Sequence, residues 1–452
     1  MKNLATLISI IALTALLTLL FQSCGDTNAR TKETDKVTEN AAAAIPYLKS
    51  RKEGLGSMDE GTHVASIYDK NKALIAQDPN NAEAYLALAE LFMNEARVTG
   101  EHPYYYPAAL KMIAAIPNLA GKSNDIRFQA AYYKSSILLS QHEFQQALLA
   151  GQEGQSLFPQ NAGIYGVMID ANVELGQYDE AVRLSDIMVG IRPDLRSYSR
   201  ISYLREIHGD PDGAIEAMNL AVDAAMPGYE QSAWCRLTLA QLYERYGKLA
   251  EAKMHYAITL QERPDYPFAI AGLASISAKE GKMDSALAQL DKAIALIPEV
   301  AFYEQKAELL RKLGRNEEAD ALAKEVMTMM AEDEASGHKM DLELSLAQLR
   351  LQGDAEVALE TCKKALAARP DNIDVNAAMA EIYVALGDWK QAKSHIDAAL
   401  KTGSKDPSKN CLAGWIAYQT GDKAAGKAQI KSAFKTNPTL DHPIAAQAKA
   451  VI

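Results

Sequence analysis

The residues of this chain that could act on a substrate or hold a metal are dispersed. The eight His stand at 63, 102, 142, 208, 255, 338, 395 and 442, with no two at metal-ligand spacing. His142 and Glu143 open the His-Glu pattern of a zinc metalloprotease, but position 146 is Gln, so the second imidazole is missing. No phosphate-cradling glycine loop follows a strand, and no strand pattern exists for one to follow. Cys235, Cys362 and Cys411 fall in separate helical segments and are odd in number, which reads as small core residues rather than a disulfide framework. The expectation is a chain with no catalytic centre, no metal and no cofactor. Cys24 differs from the other thiols: it closes an apolar run and is the one placed for modification.

Charge narrows the partners. The net charge is −11 over 452 residues, with 23% of them charged, so the whole chain has no basic footprint for nucleic acid. The balance reverses at the C-terminus, where residues 401–452 hold eight Lys against three Asp. Lys423, Lys427, Lys431 and Lys435 recur every four residues and share one helix face. That face suits either contact with anionic lipid or simple solvation of an outer surface.

The elements that position any site are helical. From Ala162 to Pro193, Tyr165, Met168, Ile169 and Asn172 mark one helix face, and Gly176 supplies a left-handed stop. Asp179 and Glu180 begin a second helix, which packs through Ala181, Leu184, Ser185 and Met188, and Pro193 prevents its continuation. One such hairpin cannot bury its own apolar face and needs copies on both sides. The copies follow at fixed spacing: Pro159 to Pro193, Pro193 to Pro227 and Pro264 to Pro298 are each 34 residues, and Pro370 to Pro438 is 68.

Within that period Leu239, Ala240, Tyr243, Gly247, Ala252, Tyr256 and Pro264 hold fixed offsets. They recur as Ile270, Leu273, Ala274, Gly281, Ala286, Leu290, Ala293 and Pro298. In period and residue type the chain resembles the tetratricopeptide-repeat family. The resemblance implies an all-α, right-handed superhelical solenoid of about 11 helix-turn-helix units. Residues 45–159 form irregular N-terminal units, 160–334 the central units, and 335–452 the C-terminal units ending in a capping helix from 441. Three irregularities stand out: Tyr104, Tyr105 and Tyr106 between two prolines, loop residues near Asn118 to Asn124, and an acidic surplus at 331–338 placed to bend the stack.

The same resemblance places the first helix of each unit on a concave groove. Carried onto this sequence, the groove positions include Tyr132, Asp170, Trp234, Phe268, Trp415 and Tyr418. Gly166, Asp170 and Ala271 stand where a two-carboxylate clamp needs Lys, Asn and Arg, so that activity is not carried over.

Residues 1–23 precede the fold: Lys2, then an apolar run from Leu4 to Phe21, then Gln22 and Ser23 before Cys24. This resembles a bacterial lipoprotein leader, which implies cleavage before Cys24 and lipid on its thiol. An uncleaved membrane anchor is the other reading, since about 18 residues at ~1.5 Å each nearly span a bilayer. Residues 24–44 read as a solvated tether. Gly25 stands where some bacteria read Asp as an inner-membrane signal, which favours the outer membrane. The expected function is a membrane-tethered scaffold binding proteins of the bacterial envelope, and the alternative is a receptor for a small ligand or glycan in nutrient uptake.

Overall fold

The computed structural model describes residues 44–56 and 58–452. The leader, Cys24 and the tether up to residue 43 lie outside the described residues. Among those described, every regular element is helical. No helix among them is long and apolar enough to cross a membrane.

A single helix, α1 (Met58–Gln77), precedes ten antiparallel pairs. The pairs are α2 (Ala82–Thr99) with α3 (His102–Ala114), α4 (Asn124–Ser140) with α5 (Phe144–Leu157), and α6 (Ala162–Glu174) with α7 (Tyr178–Ile191). Next come α8 (Leu195–Ile207) with α9 (Pro211–Asp223), α10 (Glu230–Arg245) with α11 (Leu249–Glu262), and α12 (Pro267–Lys279) with α13 (Met283–Leu296). Then follow α14 (Val300–Lys312) with α15 (Asn316–Ala335), and α16 (Asp341–Ala347), prolonged by a π turn, with α17 (Ala355–Ala368). The last are α18 (Ile373–Ala385) with α19 (Trp389–Ala399) and α20 (Pro407–Gln419) with α21 (Lys423–Thr436), closed by the short α22 (Ala445–Lys449).

Local chemistry explains the boundaries. Asn161, Asp194, Asp210, Asn372 and Asp406 each cap the first turn of the helix they precede. At the far end of α6, Gly176 takes φ +77°, and the Gln177 amide donates 2.8 Å to the Asn172 carbonyl, closing the turn expected there. Ala252 and Ala286 are fully buried where the helices of their units approach. The extra residues before Pro264 lengthen α10, and those near Asn118 form a short 3-10 turn.

Two expectations are corrected. The acidic surplus is not a joint: α15 runs on through Ala335, so most of the extra residues become added helix. The first of the irregular N-terminal units is not a helix pair either, since α1 is its one helix. Gly54 and Gly56 have φ +91° and +79°, and residues 45–52 have no regular structure and bond to α2 and α3. Two of the three tyrosines hold that segment: Tyr104 donates 2.7 Å to the Tyr47 carbonyl, and the Lys49 amide donates 3.1 Å to the Tyr105 hydroxyl. Arg51 forks onto buried Glu95 and also reaches Glu60, which pairs with Arg263 on a remote unit.

That remote pairing belongs to a wider pattern. The superhelix winds tightly enough for its second turn to rest on its first, with partners about 195 residues apart. The last carbonyls of a helix have no partner inside it. Here side chains from the other superhelical turn supply one. Asn372 donates 2.9 Å to Glu174 O, Thr402 donates 2.6 Å to Ile207 O, and Asn437 donates 3.1 Å to Arg245 O. His338 meets Ser140 O in the same way, and Lys339 N donates 3.0 Å to Gln141 O. Tyr178 accepts from Ile373 N at 2.8 Å, and Arg369 pairs with Glu174 at 2.5 Å.

The seam needs glycine where backbone meets backbone. A Cβ on Gly176 would stand 2.5 Å from the Asp371 carbonyl carbon, whereas one on Gly387, at the same place in its own turn, meets nothing within 4 Å. Gly387→Ala should therefore cost only the left-handed penalty, ~1–2 kcal/mol. Gly176→Ala should cost clearly more in denaturant unfolding, because backbone on both sides must separate. Equal losses would show that the seam contributes nothing to stability.

Candidate functional site: the interior of the superhelix

The first helices of the units line the interior. The central cavity, about 580 Å³, takes side chains from α2, α4, α6, α8 and α10. Tyr132, Asp170 and Trp234 share it. Trp234 is 44% exposed, unusual for an indole. Tyr132 stacks on Phe128 at 6.2 Å, which fixes its ring. Asp170 is held by Arg200 through two bonds, at 2.8 and 2.5 Å. Arg200 lies this close because Gly166 has no side chain: Arg200 also donates 3.1 Å to the Gly166 carbonyl, and a Cβ there would stand 3.0 Å from the guanidinium carbon.

Phe268 is in the next concavity, about 480 Å³, with Glu244, Lys279 and Asp441. Its ring meets Phe302 edge-on at 5.4 Å. Glu244 accepts from Tyr256 at 2.8 Å and also from Ser275 and Lys279. Trp415 and Tyr418 are placed otherwise. Trp415 is 9% exposed in the C-terminal core, stacked on Tyr418 at 5.9 Å, and neither lines the cavities described here. Lys423 and Lys427 stand over the Tyr418 ring, 5.7 and 5.9 Å from its centroid.

The concavities adjoin. One of about 780 Å³ shares Tyr132, Arg97 and Arg196 with the central cavity. The central cavity shares Gln241 and Arg245 with the Phe268 concavity, which shares Ser275, Lys279 and Asp441 with one of about 450 Å³. The result is a track from α2 to the residues before α22.

Arginines of this track were missed in the sequence. Arg245 pairs with Glu206 and approaches Asp406, while exposed Arg97 and Arg196 have no ion pair among the described residues. The available signal was the 34-residue step from Gly166 to Arg200, a small residue beside a long one on neighbouring first helices.

Electrostatics differ along the interior. Burial raises the Glu230 carboxyl, against the pull of Arg97 and Arg263. Burial works against Glu381 too, but hydrogen bonds from Arg350 and then His442 prevail and hold it at about 2. On α14, burial and then the neighbouring Glu308 push Glu304 up to about 7. No group of His, Cys, Asp or Glu among the described residues is arranged to hold a metal. The three thiols there are buried and free, with Cys235 pushed by burial to about 12.

Comparison with known proteins gives several likenesses. Residues 349–408 match the family model for tetratricopeptide repeat. That stretch is similar to tetratricopeptide repeats. Cellulose synthase operon protein C of Xanthomonas axonopodis pv. citri (strain 306) is 25% identical over 378 residues, 79% of this chain and 24% of that protein. DnaJ homolog subfamily C member 3 of Gallus gallus is 25% identical over 199 residues, 42% of this chain and 40% of that one. The chain thus spans less than half the length of these relatives. Among solved structures, the APC/C hetero-tetramer Cut9-Hcn1 superposes at a TM-score of 0.45 with 13% identity, covering 94% of this chain and 81% of that one.

Glu304 provides a pH test. Its folded value near 7 exceeds the ordinary 4.5, so its contribution to stability is full below about 4.5 and is lost as pH rises through 7. Glu304→Gln should raise the melting temperature at pH 8 and leave it unchanged at pH 4. A gain of equal size at both pH values would exclude the raised carboxyl as the cause.

Proposed function

We propose that this tetratricopeptide protein is a non-catalytic scaffold that holds an extended segment of a partner protein along its interior. The adjoining concavities carry the reading, since a track shared by many units suits an extended chain better than a compact molecule. Trp234 and Phe268 offer anchors at low entropic cost, and the paired Arg200–Asp170 and Lys279–Glu244 groups fix polar walls between them. The apolar run ending at Cys24 supports lipid attachment in a bacterial envelope, with Gly25 favouring the outer membrane.

A second reading has one specific observation behind it. The 580 Å³ cavity that gathers Tyr132, Asp170 and Trp234 is the size of a small-molecule site, as a receptor for a small ligand or glycan would require.

Two variants separate these readings once a partner has been recovered from detergent-solubilised envelopes. Under the scaffold reading Trp234→Ala and Phe268→Ala each weaken capture of that partner, by ~1–2 kcal/mol if both are anchors. The small-ligand reading expects Trp234→Ala alone to matter. Helicity must match the parent chain in both cases, and two silent variants would remove the groove assignment. The anchor is tested separately by mass spectrometry of the native protein: residues 1–23 should be absent and the first peptide should carry an acyl mass, whereas an intact leader refutes it.

A further inference from the structure

The seam between superhelical turns uses two different edges. One edge consists of the turns inside units, where a first helix ends, at a glycine in all but α4. The other consists of the turns between units, where a second helix gives way to the next first helix. In the seam the first kind offers helix-end carbonyls and the second supplies donors, as Asn372 does for Glu174. A two-turn coil uses each edge once internally and leaves one of each free, at opposite ends of its axis.

The free edges keep the seam's features. Around Gly314 and Gly387 nothing lies within 4 Å of where a Cβ would stand, and the leucines before them, Leu313 and Leu386, are 40% and 37% exposed. On the opposite edge, Pro159-Gln160-Asn161 repeats the order of Pro370-Asp371-Asn372. The Asn161 side-chain oxygen accepts from Gly163 N at 2.9 Å, as that of Asn372 accepts from Asp374 N at 2.8 Å. The Asn372 amide nitrogen is spent on the seam, whereas that of Asn161 has no partner among the described residues. On the same edge Met226 and Tyr229 are 68% and 63% exposed. Exposed large apolar groups thus occupy both free edges, next to the groups that dock inside the molecule.

We infer that the free edges of two copies of this chain dock on each other head to tail, extending the intramolecular seam from one molecule to the next. The occupant is a second copy because only this chain is shown to carry both halves of the contact. Such an interface is heterologous: each molecule uses one edge and leaves the other open, so the product is a linear stack rather than a closed pair. Stacking on the superhelical axis would place successive interiors end to end. The inference is independent of what the interior binds.

Light scattering on the full chain in mild detergent tests it, across a protein dilution series. The mass should rise with concentration, by about twofold or more, as expected for open-ended assembly. Leu313→Glu with Leu386→Glu blocks one edge, and Met226→Glu with Tyr229→Glu blocks the other. Each double variant alone should remain monomeric, with helicity and melting temperature kept because these side chains are exposed. Mixed, they should form a one-to-one dimer and stop there, since each retains the edge the other lacks. A parent chain that stays monomeric throughout overturns the inference. So does a parent that assembles while either blocked variant assembles equally well, or while the mixture stays monomeric.

Discussion

Helix-end carbonyls need partners, and in this molecule that requirement shapes the whole coil. The first helix of each pair ends in a tight turn, at glycine in every pair except α4, where His142 takes the positive φ, and its last carbonyls are left without intrahelical donors. For four first helices of the first superhelical turn, those carbonyls accept from His338, Asn372, Thr402 and Asn437, almost 200 residues further on. Each bond contributes about 0.5–1.5 kcal/mol net. Their effect exceeds that sum in kind, because together they set the pitch at fewer than six 34-residue units per turn. A solenoid whose units touch only their neighbours is a flexible spring. This one is compressed until its coils are in contact.

Compression has consequences for the interior. Side chains from distant units face one another across a narrow space, so carboxylates there lose water and either find an arginine or hold their protons. Glu381 takes the first course, with Arg350 and His442, and Glu304 takes the second. The same crowding orders the polar walls. Arg200 lies flat over Gly166 to reach Asp170, and Glu244 gathers a hydroxyl from each of two residues as well as the Lys279 ammonium. Trp234 stays partly uncovered among these satisfied pairs, and for that reason it is the most informative aromatic of the track.

The N-terminal segment seals the coil at its start. Residues 45–52 are held by Tyr104, Tyr105 and the Arg51–Glu95 fork. Tyr104, Tyr105 and Tyr106, between two prolines, are an irregularity of the sequence, and the first two make contact through their hydroxyls. The contact is with the chain's own beginning, and Pro103 at the first helical positions lets the run start α3 rather than form a loop.

The helix pairs, their period and their glycine stops were legible in the sequence because each depends on residues within one 34-residue unit. The groove residues were only half legible. Tyr132, Asp170, Trp234 and Phe268 do line the interior concavities, but Trp415, from the same register, is drawn into the core by Tyr418 and the closing helix. A register rule assigns a side chain to a face of its helix; what the next element lays over that face is decided by packing. The seam was not legible at all. It joins residues about 195 apart, and no local pattern encodes the small rotation per unit that, added over successive pairs, brings Glu174 to Asn372. That rotation follows from how every pair packs on the next, so only the tertiary structure could decide it.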